Sequence, residues 1–299
     1  MPEPRSEVLT RTKWLDIHYD PHFVSASNAA SILGLDRFKS AYTLYREKRG
    51  EIEPPKATIN MRFGHYCEPF IAELYGEATG RNVSDPGDYA VYWHPQFPWL
   101  FSTLDRIIGS ERGPGCLEMK KPGQFSKADW ATDNTIQYQV QLQVQMACSG
   151  LQWGALAALV GNGDFYHSDI ERNDRLIAQI IPRLAEFRDN CIAGNPPDVD
   201  GSASTEQTIK MLYPKDNGAT IALPFEAREK HELREEVKAE ISRLEKEEKA
   251  LTSWFKDEIG NAKFGTMGDW TYTCGTRNVA ECVRKAYTSR TLTRKKTGG

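Results

Sequence analysis

Two short stretches, STLDRII at Ser102–Ile108 and CLEMKKP at Cys116–Pro122, decide how this chain is interpreted. Both lie near glycine or proline and have the length of a β-strand. Because side chains alternate along a strand, Glu118 and Lys120 lie on the same face of the second stretch. If the two strands pair as a hairpin, Asp105 reaches the same place, so the pattern predicts one site with two carboxylates and a lysine.

These residue types suit the hydrolysis of a phosphodiester. Asp105, Glu118 and a backbone carbonyl would bind a hard divalent cation such as Mg²⁺, leaving positions for water and phosphate oxygens. Lys120 would orient the water and help to hold it as hydroxide. The D…ExK spacing alone is common on solvated strands. Here the strand is otherwise apolar, and buried charges usually need partners or a metal.

Net charge by itself says little about this protein. The 299 residues include 38 Lys and Arg against 41 Asp and Glu, a net charge of −3. Residues 1–200 hold 20 basic and 26 acidic side chains, whereas residues 264–299 hold seven basic and two acidic ones. We therefore expect an acidic body and a basic tail, which is either a disordered segment or an arm that contacts phosphate.

Several classes of protein are excluded by absent patterns. The six cysteines are scattered without a CxxC pair, which argues against a disulfide scaffold, a zinc ribbon or an iron–sulfur cluster, and favours a reduced, cytoplasmic protein. The uncharged stretch 135–163 is rich in glutamine and its apolar part is short, so we expect no membrane span. No GxxxxGK[ST] loop is present, so we expect no chemistry driven by nucleotide hydrolysis.

Local patterns predict a mixed α/β fold. Helices are expected from Ser27 to Gly34 and over Ser40–Lys48, Ile59–Thr79 and Asn173–Ala193. Strands of one hairpin-rich sheet are expected over Tyr89–Trp93, Leu100–Ile108 and Cys116–Lys120, with a further hairpin over Leu151–Val160 and Phe165–Ile170.

The segment Gln137–Met146 is ambiguous. Its strict alternation of glutamine with other residues is a strand pattern, and pattern alone favours a strand. As a helix, however, it would place Gln137, Gln141 and Gln145 on one face.

The last third of the chain has a different character. Phe225–Ala262 is highly charged, with an apolar seam at spacings of three, four and seven residues. This pattern predicts a long helix, which either lies across the core or pairs with a neighbour. Trp270–Lys296 predicts a small hairpin. We expect residues 1–200 to form the core and residues 201–299 a helical and β extension with the basic tail.

Five ordered blocks resemble the YqaJ-type viral recombinases, the phage lambda exonuclease family within the PD-(D/E)xK nucleases. Together they cover about residues 22–195. They are VSASNAASILG with FKS and YREK at 24–48, FGHYCEP at 63–69, the Asp105…Glu118-Met119-Lys120 core, the glutamine segment with Tyr138, Gln141 and Gln143, and HSDIER at 167–172.

The resemblance implies a restriction-endonuclease-like core, a mixed central sheet flanked by helices, and a role for each matching residue. Glu68, Asp105, Glu118 and the Met119 carbonyl would hold Mg²⁺ or Mn²⁺, and Lys120 would serve the attacking water. Ser27 would face the 5′-phosphate, with a plain helix cap as the alternative. Gln141 and Tyr138 would line the site, and the resemblance favours helix for their segment.

The activity implied is ATP-independent hydrolysis of one strand from duplex DNA ends, 5′→3′, in recombination by single-strand annealing. The family also implies an annealing partner, a trimeric ring and a place in the bacterial host cell's cytoplasm. Another endonuclease or repair nuclease of the superfamily, or a non-catalytic DNA-binding module, are the alternatives. Two positions depart from the family: Asp20, Pro21 and His22 stand where it has an arginine, and Thr103-Leu104 where it has Ser-Pro. How a 5′-phosphate is recognised therefore stays open.

Overall fold

The computed structural model describes residues 4–54, 56–132 and 134–276. Contacts divide the chain into two units, Met1–Pro214 and Lys215–Gly299. The helix Ala203–Leu212 belongs to the first unit, and the division at residues 200 and 201 stays a prediction. The basic tail from Arg277 onward lies outside the described residues. Among the described residues, no helix combines the length and the apolar character that crossing a membrane requires.

In the first unit, the described strands form two mixed sheets. One sheet has the order β1 (Arg5–Val8), β4 (Ala90–Trp93), β5 (Leu100–Thr103) and β2 (Val24–Ser25). The other has the order β3 (Asn82–Ser84), β6 (Arg106–Gly109), β7 (Gly115–Lys120), β8 (Trp153–Val160) and β9 (Asp164–Glu171). In the second sheet only β7 and β8 run parallel among the described pairs. These central strands are almost wholly buried, as is usual where both faces of a sheet are covered.

The described helices of the first unit surround these sheets. They are α1 (Arg11–Tyr19), α2 (Ala29–Ile32), α3 (Ala41–Lys48), α4 (Ile59–Thr79), α5 (Lys127–Ala131), α6 (Ile136–Ser149), α7 (Asp174–Ala193) and α8 (Ala203–Leu212). Two 3₁₀ turns cover Ala26–Asn28 and Gln124–Ser126. The mixed α/β fold class expected from the sequence is confirmed.

Two of the catalytic candidates, Glu118 and Lys120, lie on a strand that is covered from both sides. On one face of the five-stranded sheet, Ile71 and Tyr75 of α4 pack with Leu117 and Met119 of β7. On the other face, Leu142 of α6 packs in a cluster with neighbouring strand residues. Met119 is therefore a core residue, and the side chains at 118 and 120 point toward α6.

Helix α4 coincides with its predicted range because its ends are encoded locally. The Thr58 side chain accepts a hydrogen bond from the Met61 N–H over 3.2 Å, as an N-cap does. Gly80 ends the helix in the left-handed conformation, with φ 68°. The helices at Ser40–Lys48 and Asn173–Ala193 and the β8–β9 hairpin are likewise confirmed.

The expectation of one sheet was wrong. The predicted strand Leu100–Ile108 divides at Leu104 and Asp105 into β5 and β6, which belong to different sheets. The apolar pattern continues through the division because Phe101, Leu104 and Ile108 are all buried. β5 pairs with β4 and β2, whereas β6 pairs with β3 and β7, and this division of partners makes the chain change sheets here.

The strand interpretation of the glutamine segment was also wrong, and the helix favoured by the resemblance is confirmed as α6. Val140 and Val144 enter one apolar cluster, while Leu142 and Met146 enter another. A helix that is buried on two sides places apolar residues at two-residue intervals. The alternation therefore imitated a strand.

The second unit contains α9 (Ala227–Ile259) and the hairpin β10 (Phe264–Met267) with β11 (Trp270–Thr273). The long helix is confirmed, and Phe255 near its end stacks on Tyr272 with ring centroids 4.2 Å apart. The hairpin was misplaced in part, because its first strand precedes Trp270, where the predicted hairpin began. The remainder of the predicted hairpin lies outside the described residues.

Candidate active site

Asp105 lies at the junction where the chain leaves one sheet and enters the other. Strands β6 and β7 are antiparallel, with Arg106 opposite Leu117. One carboxylate oxygen of Asp105 accepts a hydrogen bond from the Met119 N–H over 2.8 Å. The hairpin relationship expected from the sequence thus brings Asp105 to the strand that carries Glu118.

Glu118 is a buried carboxylate, 1% exposed, and both of its oxygens face hydrogen-bond donors. Its Oε1 accepts from the side-chain amide of Gln141 over 2.8 Å, and its Oε2 from Gln145 over 2.6 Å. The Lys120 ammonium also contacts Oε1. Such charge-assisted bonds offset the large cost of burying a carboxylate.

Lys120 remains a cation in this setting. Burial lowers the pKa of its ammonium, but the charges of Glu118 and Asp105 raise that pKa by more, so it lies above its ordinary value. The ammonium also lies 5.3 Å from the centroid of the Tyr138 ring, a cation–π distance. Tyr138 is itself stacked on Trp130 at 5.5 Å.

Glu68 approaches from α4. It lines a cavity of 490 Å³ together with Asp105, and its Oε2 lies 3.1 Å from Nδ1 of His65. Burial first, and then the negative charges of Glu118 and Glu68, raise the pKa of Asp105 to about 7, against the opposing effect of Lys120. Three carboxylates therefore share one region with one nearby lysine.

This donor set suits a divalent cation by charge and by chemistry, because hard cations prefer carboxylate oxygens. The described side chains do not, however, include a group of three or more His, Cys, Asp or Glu residues arranged to hold a metal. Glu118 instead faces Gln141, Gln145 and Lys120. A divalent cation is therefore favoured here by the excess of carboxylate charge over the single lysine, and not by a complete set of coordinating side chains.

Ser27 does not cap a helix. It lies within the first 3₁₀ turn, is exposed, and its hydroxyl lies 2.9 Å from the hydroxyl of Ser25. Ser25 and Asn28 are the cap residues here. The helix-cap alternative was therefore wrong, and the role of Ser27 toward phosphate stays a prediction.

Some residues of the site were missed in the sequence. Gln145 contacts Glu118, whereas Gln143 points away and donates to the Glu171 carbonyl over 2.8 Å. The spacing of Gln141 and Gln145 by four residues is the helical signal that connects them. Trp14, Tyr89 and Arg106 also line the cavity with Asp105, and no local motif marks them.

Residues 13–152 match the family model of the YqaJ-like viral recombinase domain. The chain is 28% identical over 282 residues to the uncharacterized protein YqaJ of Bacillus subtilis (strain 168), covering 90% of this chain and 86% of that one.

Among solved structures, an alkaline exonuclease from Laribacter hongkongensis has a similar fold. The TM-score is 0.50 at 23% identity, over 62% of this chain and 94% of that one. The same exonuclease in complex with dAMP matches equally well. Glu68, Asp105, Glu118 and Lys120 all fall within residues 13–152, so the segment that matches the YqaJ-like viral recombinase domain contains the whole carboxylate–lysine site.

Proposed function

We propose that this protein is a metal-dependent DNA exonuclease that hydrolyses phosphodiester bonds from the ends of duplex DNA. The observation that carries the proposal is the gathering of Asp105, Glu118 and Lys120 at one site within the YqaJ-like domain. The similar fold of an alkaline exonuclease supports the same class of reaction.

In this proposal each residue has a distinct task. Glu68, Asp105, Glu118 and the Met119 carbonyl would hold Mg²⁺ or Mn²⁺. When bound, such an ion acidifies a water molecule and stabilises negative charge on the phosphate. Lys120, whose ammonium contacts Glu118, would act as a hydrogen-bond donor and a positive charge that orients the water.

The finer parts of the proposal follow the family. We propose degradation in the 5′→3′ direction without ATP, an oligomer with the form of a trimeric ring, and a single-strand annealing protein as partner. Recombination in the cytoplasm of a bacterial host cell is the proposed setting, with Gln141 and Tyr138 near the DNA strand. Ser27 is the proposed phosphate contact.

Digestion of duplexes labelled at the 5′ or the 3′ end, with and without a 5′-phosphate, tests this proposal. We expect mononucleotide release from the 5′ end in Mg²⁺, no cutting of a closed circle, and loss of cleavage but not DNA binding in Lys120→Ala. Lys210→Ala is the matched control, because Lys210 is an exposed lysine paired with Glu206 on α8. Full activity of Lys120→Ala would overturn the mechanism, and cutting of the circle would identify an endonuclease.

A non-catalytic DNA-binding module is the second candidate. It is favoured by the hydrogen bonds that already occupy both oxygens of Glu118, and by the lack of a three-residue metal group among the described side chains. Calorimetric titration with Mg²⁺ separates the two candidates. Binding that is lost in Glu118→Gln supports the nuclease, and no heat at millimolar Mg²⁺ supports the module.

A further inference from the structure

Tyr89 has a backbone conformation that residues with a Cβ rarely adopt. Its φ is 58°, and it is the only residue other than glycine with a positive φ among the described residues. For a bulky aromatic residue this conformation is strained and persists only where the surrounding structure enforces it. Such strain tends to be found where a side chain must point in one direction.

The surroundings of Tyr89 hold it in place. Its carbonyl accepts a hydrogen bond from the Leu9 N–H over 3.1 Å. Two residues earlier, the Gly87 N–H donates to the side chain of Asp85 over 2.8 Å, and Gly87 itself has φ 95°. The Tyr89 ring lies against Trp14 of α1, with centroids 5.7 Å apart and planes at 50°.

Both rings line the 490 Å³ cavity that also contains Asp105 and Glu68. Arg106 also lines this cavity, and its guanidinium donates a hydrogen bond to the Asp105 carbonyl over 2.5 Å. The strained residue therefore presents an aromatic wall directly beside the proposed catalytic carboxylates.

The charge of this cavity indicates which part of a nucleotide it suits. Its lining includes four carboxylates, those of Glu68, Asp85, Asp88 and Asp105. Arg106 is also paired with Asp85 at 3.4 Å. Glu68 and Asp105 would face the metal, whereas Asp85 and Asp88 would repel a free phosphate and can accept hydrogen bonds from the amino groups of nucleobases. Aromatic rings offer a surface on which any base stacks. Together these properties favour a neutral nucleobase.

We propose that Tyr89 and Trp14 form a stacking platform for the base of the terminal nucleotide, which positions that nucleotide beside Asp105. The proposal rests on the proposed nuclease function. It adds that the protein recognises the base, and not only the sugar and phosphate, at the end of its substrate. Recognition by stacking would be largely independent of sequence.

Two duplexes that differ only in the terminal nucleotide of the cleaved strand provide the test. One carries an ordinary nucleotide there and the other an abasic residue. We expect the wild type to cleave the ordinary duplex at least about 10-fold more efficiently, the range expected for one stacked base. Tyr89→Gly, which permits the same backbone conformation, should lower kcat/KM on the ordinary duplex to near the abasic level without a further loss on the abasic duplex. Tyr89→Phe should retain the wild-type ratio.

Equal cleavage of both duplexes by the wild type would overturn the platform while the nuclease function stands. If the wild type cleaves neither duplex, the nuclease function fails, and a binding measurement on the same wild-type chain still judges the platform. Deoxyadenosine 5′-monophosphate should then quench tryptophan fluorescence at a concentration at which 2-deoxyribose 5-phosphate does not. Equal responses to the two compounds would contradict base stacking. Trp14→Leu, as a second variant, should abolish the difference in quenching between the two compounds.

Discussion

The carboxylate of Asp105 accepts a hydrogen bond from the backbone N–H of Met119 over 2.8 Å. This bond joins the point where the chain changes sheets to the strand that carries Glu118 and Lys120. It also holds Asp105 in a half-buried position beside Glu118, where the two negative charges repel each other. Retaining a group at such a cost is typical of functional sites.

Asp105→Asn should separate function from stability. The amide oxygen of Asn can still accept from Met119, while the substitution removes a negative charge from the neighbourhood of Glu118 and Glu68. We expect a free energy of unfolding equal to or above that of the wild type, and cleavage reduced about 10²-fold or more. Chemical denaturation without metal and single-turnover cleavage check the two parts. Near wild-type cleavage would remove Asp105 from the mechanism.

Gln145→Met should damage the site as well as the fold. Its amide donates to Glu118 over 2.6 Å and to the Thr103 carbonyl over 3.1 Å, and losing these bonds should cost about 1–3 kcal/mol of unfolding free energy. Gln143→Met is the matched control, because this buried glutamine on the same helix bonds only to Glu171 and Asn173 among the described residues. Both variants should be less stable, but only Gln145→Met should lose cleavage when assayed well below its melting temperature. Equal activity of the two variants would contradict a role for Gln145 in holding Glu118.

Stability should fall as the solution becomes acidic because of His94. Burial, helped by the charge of Arg172, lowers the pKa of His94 to about 4 from 6.5, and its Nδ1 accepts from the N–H groups of Gln96 and Phe97 over 3.1 and 3.2 Å. Between pH 6.5 and pH 4 the unfolded chain binds the proton that the folded chain excludes. The stabilisation is therefore complete above pH 6.5 and is lost as the pH falls toward 4.

Denaturation curves across that pH range measure this effect. His94→Asn provides a side-chain oxygen that can accept the same backbone N–H groups but does not titrate. We expect the variant to show a shallower decline of stability between pH 6.5 and pH 4. Parallel curves for the two proteins would mean that other groups control the acid response.

Gly154→Ala tests how tightly the strand of Glu118 is packed. A Cβ on Gly154 would lie 2.8 Å from both the carbonyl oxygen and the sulfur of Cys116, the residue paired with it on β7. Since a backbone atom cannot move aside cheaply, we expect a loss of about 1–3 kcal/mol in stability and weaker cleavage. Gly163→Ala in the following turn meets nothing within 4 Å and should leave the melting temperature unchanged. A Gly154→Ala variant as stable as the wild type would show that β7 and β8 can move apart without loss of stability.

The elements predicted correctly are those whose ends are encoded nearby. Thr58 and Gly80 bound α4 through hydrogen bonds and backbone freedom that involve only adjacent turns. Asn173 caps α7 in the same way, accepting from the Leu176 N–H over 3.0 Å. The placement of Glu118 and Lys120 on one face likewise follows from strand alternation alone.

The errors occurred where burial depends on distant partners. A run of apolar residues looks continuous at Asp105, although the two halves pair in different sheets. The alternation in α6 looks like a strand because that helix is buried between two apolar clusters. In both places the spacing of the apolar residues was identified correctly. Whether that spacing belongs to one strand, two strands or a helix is decided by the segments that pack against it, which lie elsewhere in the chain.

The sequence by itself determined the residue types of the site, its strand and the family, because these depend on spacing within short segments. Only the tertiary structure decided that Gln145 rather than Gln143 meets Glu118, and that Tyr89 and Trp14 lie beside Asp105. Those contacts join α1, α6 and the β3–β4 loop across many intervening residues. Local spacing groups Gln141 and Gln145 on one helix face, but which residues that face and the aromatic rings meet is decided when separate apolar faces pack into common cores.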